Sequence, residues 1–243
     1  MYAILTGHSR GLGSAIAAAL LARGIVVLGL ARHGNPALAA RFPDRLLEHE
    51  IDLGQLPALV ACLTSGPVAD FLARPGPALL VNNAGLLQPV APLGRQSPDA
   101  VTQAVSLNIA APLVLANAFT AGVGADRERR IMHISSGAAR NAYAGWSVYC
   151  ATKAALDHHA RAVALEAQPG LRICSLAPGV VDTDMQAEIR ATPEALFPQR
   201  ARFDALKRDA QLDSPERCAT RLVDYILSDA FGKLSVADLR DLA

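Results

Sequence analysis

Tyr149 and Lys153 stand four residues apart in a stretch with helical spacing, which puts both side chains on one face. A free tyrosine has a pKa of about 10 and is a poor acid–base group at neutral pH. A neighbouring ammonium favours the phenolate and draws that pKa down, so the two residues together can donate a proton. Taken alone, the pair reads mostly as ordinary helix surface, because pairs at this spacing are common. Its setting is more telling. Ser136 lies thirteen residues before Tyr149 and follows the apolar run 130–135. Asn82-Asn83-Ala84-Gly85 ends a second such run, and Pro178-Gly179 closes a third, with Thr183 just beyond. Asn108 falls inside a long helical pattern over 99–121. If the runs are parallel strands, these polar groups collect at the carboxyl ends, where open α/β sheets bind ligands.

A second feature has chemistry of its own. The segment Thr6-Gly7-His8-Ser9-Arg10-Gly11-Leu12-Gly13 joins a short apolar run to a helical one. Glycines at a strand-to-helix turn let the backbone approach a pyrophosphate, and the following helix N-terminus offers free N–H groups. The spacing is Gly-x3-Gly-x-Gly, and the alternative to a dinucleotide site is a plain tight turn. An Asp or Glu at the end of the second strand would hold a ribose 2′-hydroxyl. Here that strand ends Gly29-Leu30-Ala31-Arg32, with no acid. Arg32, together with Arg10 in the turn, points to a 2′-phosphate and so to NADP(H) rather than NAD(H). The alternative is that both are surface arginines.

The elements that must position these groups read as strand and helix in alternation. Strands are expected over 2–5, 25–31, 46–51, 78–81, 130–135 and 171–177, and helices over 12–22, 99–121 and 148–168. That order indicates an α/β fold, a doubly wound parallel sheet with helices on both faces. No linker, repeat or charge block divides 1–243 into domains. The charged stretch 182–213, with Pro193 and Pro198, reads as short helices covering the substrate edge of the sheet. Ser214-Pro215 opens a last helix.

Composition agrees. The 243 residues are 51% hydrophobic, which excludes a disordered chain. The 23 basic and 22 acidic side chains nearly cancel, against a nucleic-acid partner held by a basic field. Cys62, Cys150, Cys174 and Cys218 have neither CxxC spacing nor a histidine cluster. No metal site or disulfide framework is expected, and reduced thiols fit a cytoplasmic location. The apolar stretch 15–31 is interrupted at Arg23-Gly24 and falls short of a membrane span. No secretory signal is visible.

The motifs TGHSRGLG, NNAG, Asn108, Ser136, YCATK at 149–153 and Pro178-Gly179-x3-Thr183 together resemble the short-chain dehydrogenase/reductase family from about Tyr2 to Thr183. The resemblance implies one Rossmann-like domain and hydride transfer between a nicotinamide and a carbonyl or alcohol. It implies Tyr149 as general acid, Ser136 on the carbonyl oxygen, Lys153 on the nicotinamide ribose and lowering the Tyr149 pKa, and Asn108 anchoring a water behind Lys153. The cofactor would contact Gly7, Ser9, Arg10, Gly11, Leu12, Gly13 and Arg32, with Asp52 and Leu53 at the adenine. Asn83, Ala84 and Gly85 would support it. Tyr149, Lys153, Pro178, Gly179, Val181 and Thr183 would surround the nicotinamide.

The segments 145–153 and 177–186 resemble the sepiapterin reductase and benzil reductase branch, whose substrates share a 1,2-dicarbonyl. That resemblance implies a pocket near Trp146 and Met185 and a substrate-anchoring carboxylate close to the C-terminus, best matched by Asp238. Each has a plainer reading: Trp146 as loop packing, Met185 as core filler, Asp238 as a solvated tail carboxylate. Family members associate through the helices at 99–121 and 148–168, so a homodimer or homotetramer is expected. The alternative functions are another short-chain dehydrogenase, such as a 3-oxoacyl-thioester reductase or an alcohol dehydrogenase, or a non-enzymatic NADP-binding regulator.

Overall fold

A computed structural model describes residues 1–64 and 66–242, and the apolar runs become strands of one sheet. In chain order the elements are β1 (Tyr2–Thr6), α1 (Gly11–Ala22), β2 (Val26–Ala31), α2 (Pro36–Arg41), β3 (Leu46–Glu50), α3 (Leu56–Thr64), α4 (Pro67–Leu72), β4 (Ala78–Asn82), α5 (Pro98–Val105), α6 (Ala111–Val123), β5 (Arg129–Ile134), α7 (Ser147–Leu165), β6 (Leu171–Ala177), α8 (Asp184–Ala191), α9 (Arg200–Arg208), α10 (Pro215–Leu227) and β7 (Val236–Asp238). The seven strands lie in the order β3-β2-β1-β4-β5-β6-β7, every neighbouring pair parallel. The winding reverses between β1 and β4, which opens a crevice at their carboxyl ends. This is the Rossmann-like doubly wound sheet expected from the sequence.

Each sheet face is sealed by helices. Leu5, Val27, Val81, Met132, Ile134 and Leu176 pack on one side with Ile16 and Leu20 of α1 and Leu222 and Ile226 of α10. Ile4, Leu28, Leu80, Ile131 and Ile173 pack on the other with Phe71 of α4 and Leu115 and Phe119 of α6. Burial on both faces is why the strands read as continuous apolar runs. A third cluster lies apart from these two. Ala138, Trp146 and Tyr149 meet Ile189, Phe197 and Phe203 from the covering segment.

The sequence reading did not include α2, α3 or α4, and two further elements depart from it. The helix expected over 99–121 is three pieces: α5, a π-helical turn at Ser106–Ala110, and α6. Pro112 has no N–H for the carbonyl of Asn108 four residues back, so a regular α-helical ladder cannot run through this point. π-turns inside α-helices recur at functional sites, and Asn108 sits on this one. The second departure is β7, which was not expected. It is three residues long, and only its pairing with β6, Ser175 to Val236 and Ala177 to Asp238, makes it a strand. The covering stretch does form short helices, α8 and α9. It is tied down at both ends, where Val181 bridges to Asp213 and Lys207 pairs with Asp182 at 2.6 Å. Ser214 caps α10 as expected, its hydroxyl accepting from the Arg217 N–H at 3.1 Å.

Candidate active site

The glycine turn leaves β1 with Gly7 at a φ of +71°. A Cβ on Gly13 would come within 1.9 Å of the Gly7 carbonyl oxygen, so only glycine fits there. The turn is fastened to the end of β4. Thr6 Oγ1 accepts from the N–H groups of Asn83 and Ala84, both at 2.9 Å, and Asn83 Nδ2 donates to the Thr6 carbonyl at 3.0 Å. Thr6 was not singled out in the sequence. Its role arises from the β1–β4 pairing, although a hydroxyl directly before the glycine turn was a readable signal. Arg10 stands at the N-cap of α1 in extended backbone, and no side chain caps the helix. The leading N–H groups of α1 and its positive end therefore face a narrow, glycine-walled cradle, which suits a pyrophosphate. The residues fit a dinucleotide cofactor.

Past β3, where the sequence reading puts the adenine, Leu53 is buried, and Asp52 turns its carboxylate to the Gly54 N–H at 3.0 Å. Arg32 is exposed and has no hydrogen-bond or ion-pair partner among the described residues. Arg10 pairs with Asp184 at the start of α8, 3.2 Å away, with both side chains exposed. The sequence reading found no acid at the end of β2, but the sheet brings two from β3. Glu48 accepts from the Asn35 N–H and faces His8 Nε2, both at 2.6 Å, and Glu50 accepts from the Gly34 N–H at 3.1 Å. The His8 ring in turn lies where a Cβ on Gly29 would be, at 2.5 Å.

The chemical end is assembled from β5, α7 and the π-turn. Asn108 is buried; its Oδ1 accepts from the Leu86 N–H at 2.9 Å, and its Nδ2 donates to the Leu86 carbonyl at 2.8 Å and to Thr152 Oγ1 at 3.2 Å. Asn108 Oδ1 and Lys153 Nζ converge on Gly85: a Cβ there would meet them at 3.3 and 3.6 Å. Lys153 Nζ donates to the Ile134 carbonyl at 2.8 Å. Burial lowers its pKa to about 8, and the nearby Asp157 carboxylate works in the opposite direction. Asp157 is itself buried one turn along α7, its Oδ1 accepting from Ser135 at 2.6 Å and Ser175 at 2.8 Å.

Tyr149 is 6% exposed, and burial pushes its pKa up to about 12, against a lowering hydrogen bond with Ser136. The expected depression by Lys153 is not what this arrangement produces. The ammonium lies 5.8 Å from the ring centroid and is spent on the Ile134 carbonyl, while the ring sits in a dry aromatic cluster. Ser136 Oγ accepts from the Ala138 N–H at 3.1 Å, capping a 3-10 turn at Gly137–Ala139.

Trp146 packs edge-on against Tyr149, with centroids 5.6 Å apart, and stacks on Phe197 at 4.5 Å. Met185 Sδ lies 4.0 Å from the Tyr149 hydroxyl. Thr183, the N-cap of α8, approaches the glycine turn: its Cγ2 would lie 3.6 Å from a Cβ on Gly11. Pro178 and Gly179 follow β6, and Val181 is buried beside the bridge to Asp213. Asp238 lies at the same edge of the sheet but is neither solvated nor free. It is 6% exposed, and Arg240 grips both of its oxygens, Nε to Oδ1 at 2.8 Å and Nη2 to Oδ2 at 2.7 Å, while Arg140 reaches Oδ2 at 3.3 Å.

The chain resembles known proteins along nearly its whole length. The family model described as short chain dehydrogenase matches residues 1–194. A benzil reductase ((S)-benzoin forming) of Bacillus cereus is 33% identical over 244 residues, covering 95% of each chain. A sepiapterin reductase of Meriones unguiculatus is 34% identical, covering 98% of this chain and 95% of that one. A crystal structure of a short-chain dehydrogenase/reductase from Burkholderia vietnamiensis is 48% identical with a TM-score of 0.72, covering 100% of this chain and 98% of that one. The chain belongs to the short-chain dehydrogenase/reductase family and is an oxidoreductase acting on CH–OH or carbonyl groups with a nicotinamide dinucleotide.

Proposed function

We propose that the protein is an NADPH-dependent carbonyl reductase whose substrates are aromatic ketones with a second carbonyl alongside. The observation that carries this reading is the aromatic wall built onto the proton donor. Five of the eleven aromatic side chains, Tyr143, Trp146, Tyr149, Phe197 and Phe203, pack in one cluster at the carboxyl edge of the sheet, Trp146 stacked on Phe197 and the other pairs tilted or edge-on. The benzil and sepiapterin reductase names of the relatives support the same substrate class. Arg32, exposed and unpaired beside the adenosine end, supports the 2′-phosphate.

When bound, the reduced nicotinamide supplies the hydride. Charge then builds on the substrate oxygen, and Ser136 and Tyr149 meet it as donors. Tyr149 enters the step protonated, because its dry setting holds the phenol well above neutral pH. The Lys153 ammonium, one turn along α7, would hold the nicotinamide ribose rather than lower the phenol pKa. Gly7, Ser9, Gly11, Leu12 and Gly13 line the pyrophosphate cradle, Asp52 and Leu53 border the adenine, and Pro178, Gly179, Val181 and Thr183 border the nicotinamide. Trp146 and Met185 wall the substrate.

Assembly follows from the outer surface of α5 and α6. The run Pro98–Val123 is long and apolar enough to cross a membrane by composition, and only 39% of its most apolar window is buried. Leu113, Val114 and Ala118 of α6 form a groove with Val60 and Leu63 of α3. We read this as a contact between copies in a homodimer or homotetramer within the cytoplasm.

The test follows oxidation of NADPH and of NADH with benzil, sepiapterin and simple ketones. The expected result is turnover of the aromatic dicarbonyls with NADPH preferred. Equal rates with NADH reject the cofactor assignment, and inert dicarbonyls reject the substrate class.

A further inference from the structure

The arginine pair at Asp238 bears on which dicarbonyls the site selects, and its role there rests on the protein being a carbonyl reductase. Asp238 ends β7, directly beside Ala177 and the Pro178-Gly179 turn. Arg240 lies against that turn, its Cγ and Cδ within 3.6 Å of where a Gly179 Cβ would be. With both carboxylate oxygens held by the Arg240 fork, Asp238 has little capacity left for a cationic or N–H-bearing substrate. Arg140 is held differently. It lies in the loop between Ser136 and Tyr149, just after the 3-10 turn that Ser136 caps, and three residues before Tyr143 of the aromatic wall. Its guanidinium makes one long contact, Nη2 to Asp238 Oδ2 at 3.3 Å. Nε and Nη1 have no partner among the described residues, and the side chain is one-third exposed. A guanidinium with free donors therefore lies at the carboxyl edge of the sheet, four residues along the chain from Ser136.

We propose that Arg140 recognises a carboxylate on the substrate, so that aromatic 2-oxo acids are a substrate class of this site. The ring would rest on Tyr143, the partly exposed member of the aromatic cluster, the ketone oxygen would face Ser136 and Tyr149, and the neighbouring carboxylate would face the open side of the Arg140 fork. In the reaction, hydride forms a new C–H bond at the ketone carbon as its C=O π bond breaks. The oxygen takes the Tyr149 proton, the nicotinamide is oxidised, and the carboxylate is unchanged. The product is the aromatic 2-hydroxy acid.

A matched pair of substrates tests this: phenylglyoxylate and its methyl ester, which share a ketone and ring and differ in charge. Arg140→Gln is expected to lower kcat/KM on the acid by about tenfold to a hundredfold, mainly through KM, with ester turnover falling less than threefold. Arg140→Lys should recover part of the loss, and salt at about 0.5 M should weaken the acid alone. An equal fall on acid and ester would make Arg140 a loop-fastening residue and overturn the proposal. So would a rise in the KM for NADPH in place of the acid, or an acid rate untouched by the substitution. Wild-type protein inert on the acid, the ester and benzil alike would remove the reductase reading itself. Ester turnover without an effect of Arg140→Gln on the acid would remove only the role of Arg140.

Discussion

The two faces of the sheet differ where they cross the middle strands. Toward α1 and α10, β4, β5 and β6 present Leu79 and Val81, Met132 and Ile134, Cys174 and Leu176. Toward α6 and α7 the same strands start apolar, with Leu80, Ile131 and Ile173, and turn polar at their carboxyl ends. Asn82 Nδ2 faces His133 Nδ1 at 3.1 Å, His133 Nε2 faces His159 at 3.1 Å, and Ser175 binds Asp157 at 2.8 Å. Both faces are buried, so burial alone does not separate them. One face contributes cohesion. The other contributes cohesion at one end and, at the other, a hydrogen-bonded bed beneath Lys153. Buried polar groups of this kind are costly unless partnered, and here they lie directly under the proposed chemistry.

The largest expected effect of breaking this contrast is at the reacting group. Tyr149→Phe should lower turnover by roughly a thousandfold, the scale of general acid catalysis, while NADPH fluorescence still reports binding; substantial residual turnover would contradict the assignment. On the apolar face, Leu222→Ala opens a cavity at a fully buried position in α10. It should cost about 3 kcal/mol in urea unfolding, with kcat per folded molecule unchanged. A loss of kcat would show that the apolar face also tunes the site.

Asp157→Asn keeps an acceptor for Ser135 and Ser175 but removes the charge. Because Asp157 raises the Lys153 pKa against burial, that pKa should fall below its present value of about 8. In the proposed mechanism Lys153 acts as the ammonium, so the alkaline fall in rate should move to lower pH; an unmoved limb would show that Asp157 is only a hydrogen-bond anchor. A further effect is on stability. His133 is fully buried, and desolvation, with His159 and Lys153 nearby, lowers its pKa from 6.5 to about 3. The unfolded chain takes up this proton first, so its contribution is complete above pH 6.5 and is lost as pH falls toward 3. The slope is up to about 1.4 kcal/mol per pH unit. His133→Gln should flatten that dependence, which urea midpoints across pH 4 to 7 would show.

Much of the site is legible in the chain because its parts are local. The glycine turn, the Tyr149–Lys153 spacing and Ser136 after a strand all use neighbours within one or two elements. Pro112 inside the 99–121 pattern was a visible warning that the helix breaks. Other features depend on partners distant in sequence. Thr6 clamps Asn83 from 77 positions away. Glu48 reaches the loop after β2 only because β2 and β3 pair in parallel register. β7 is a strand only beside β6.

By itself, the sequence determined the alternation of strand and helix, the doubly wound class and the identity of the chemical groups, because apolar periodicity and turn residues act over short range. The tertiary structure decided the state of those groups. Desolvation of Tyr149, the Ile134 carbonyl on Lys153 and the arginines on Asp238 are all set by what the folded chain packs around them. A pKa or a free hydrogen-bond donor is a property of surroundings, and those surroundings exist only once the sheet and its covering segment have closed.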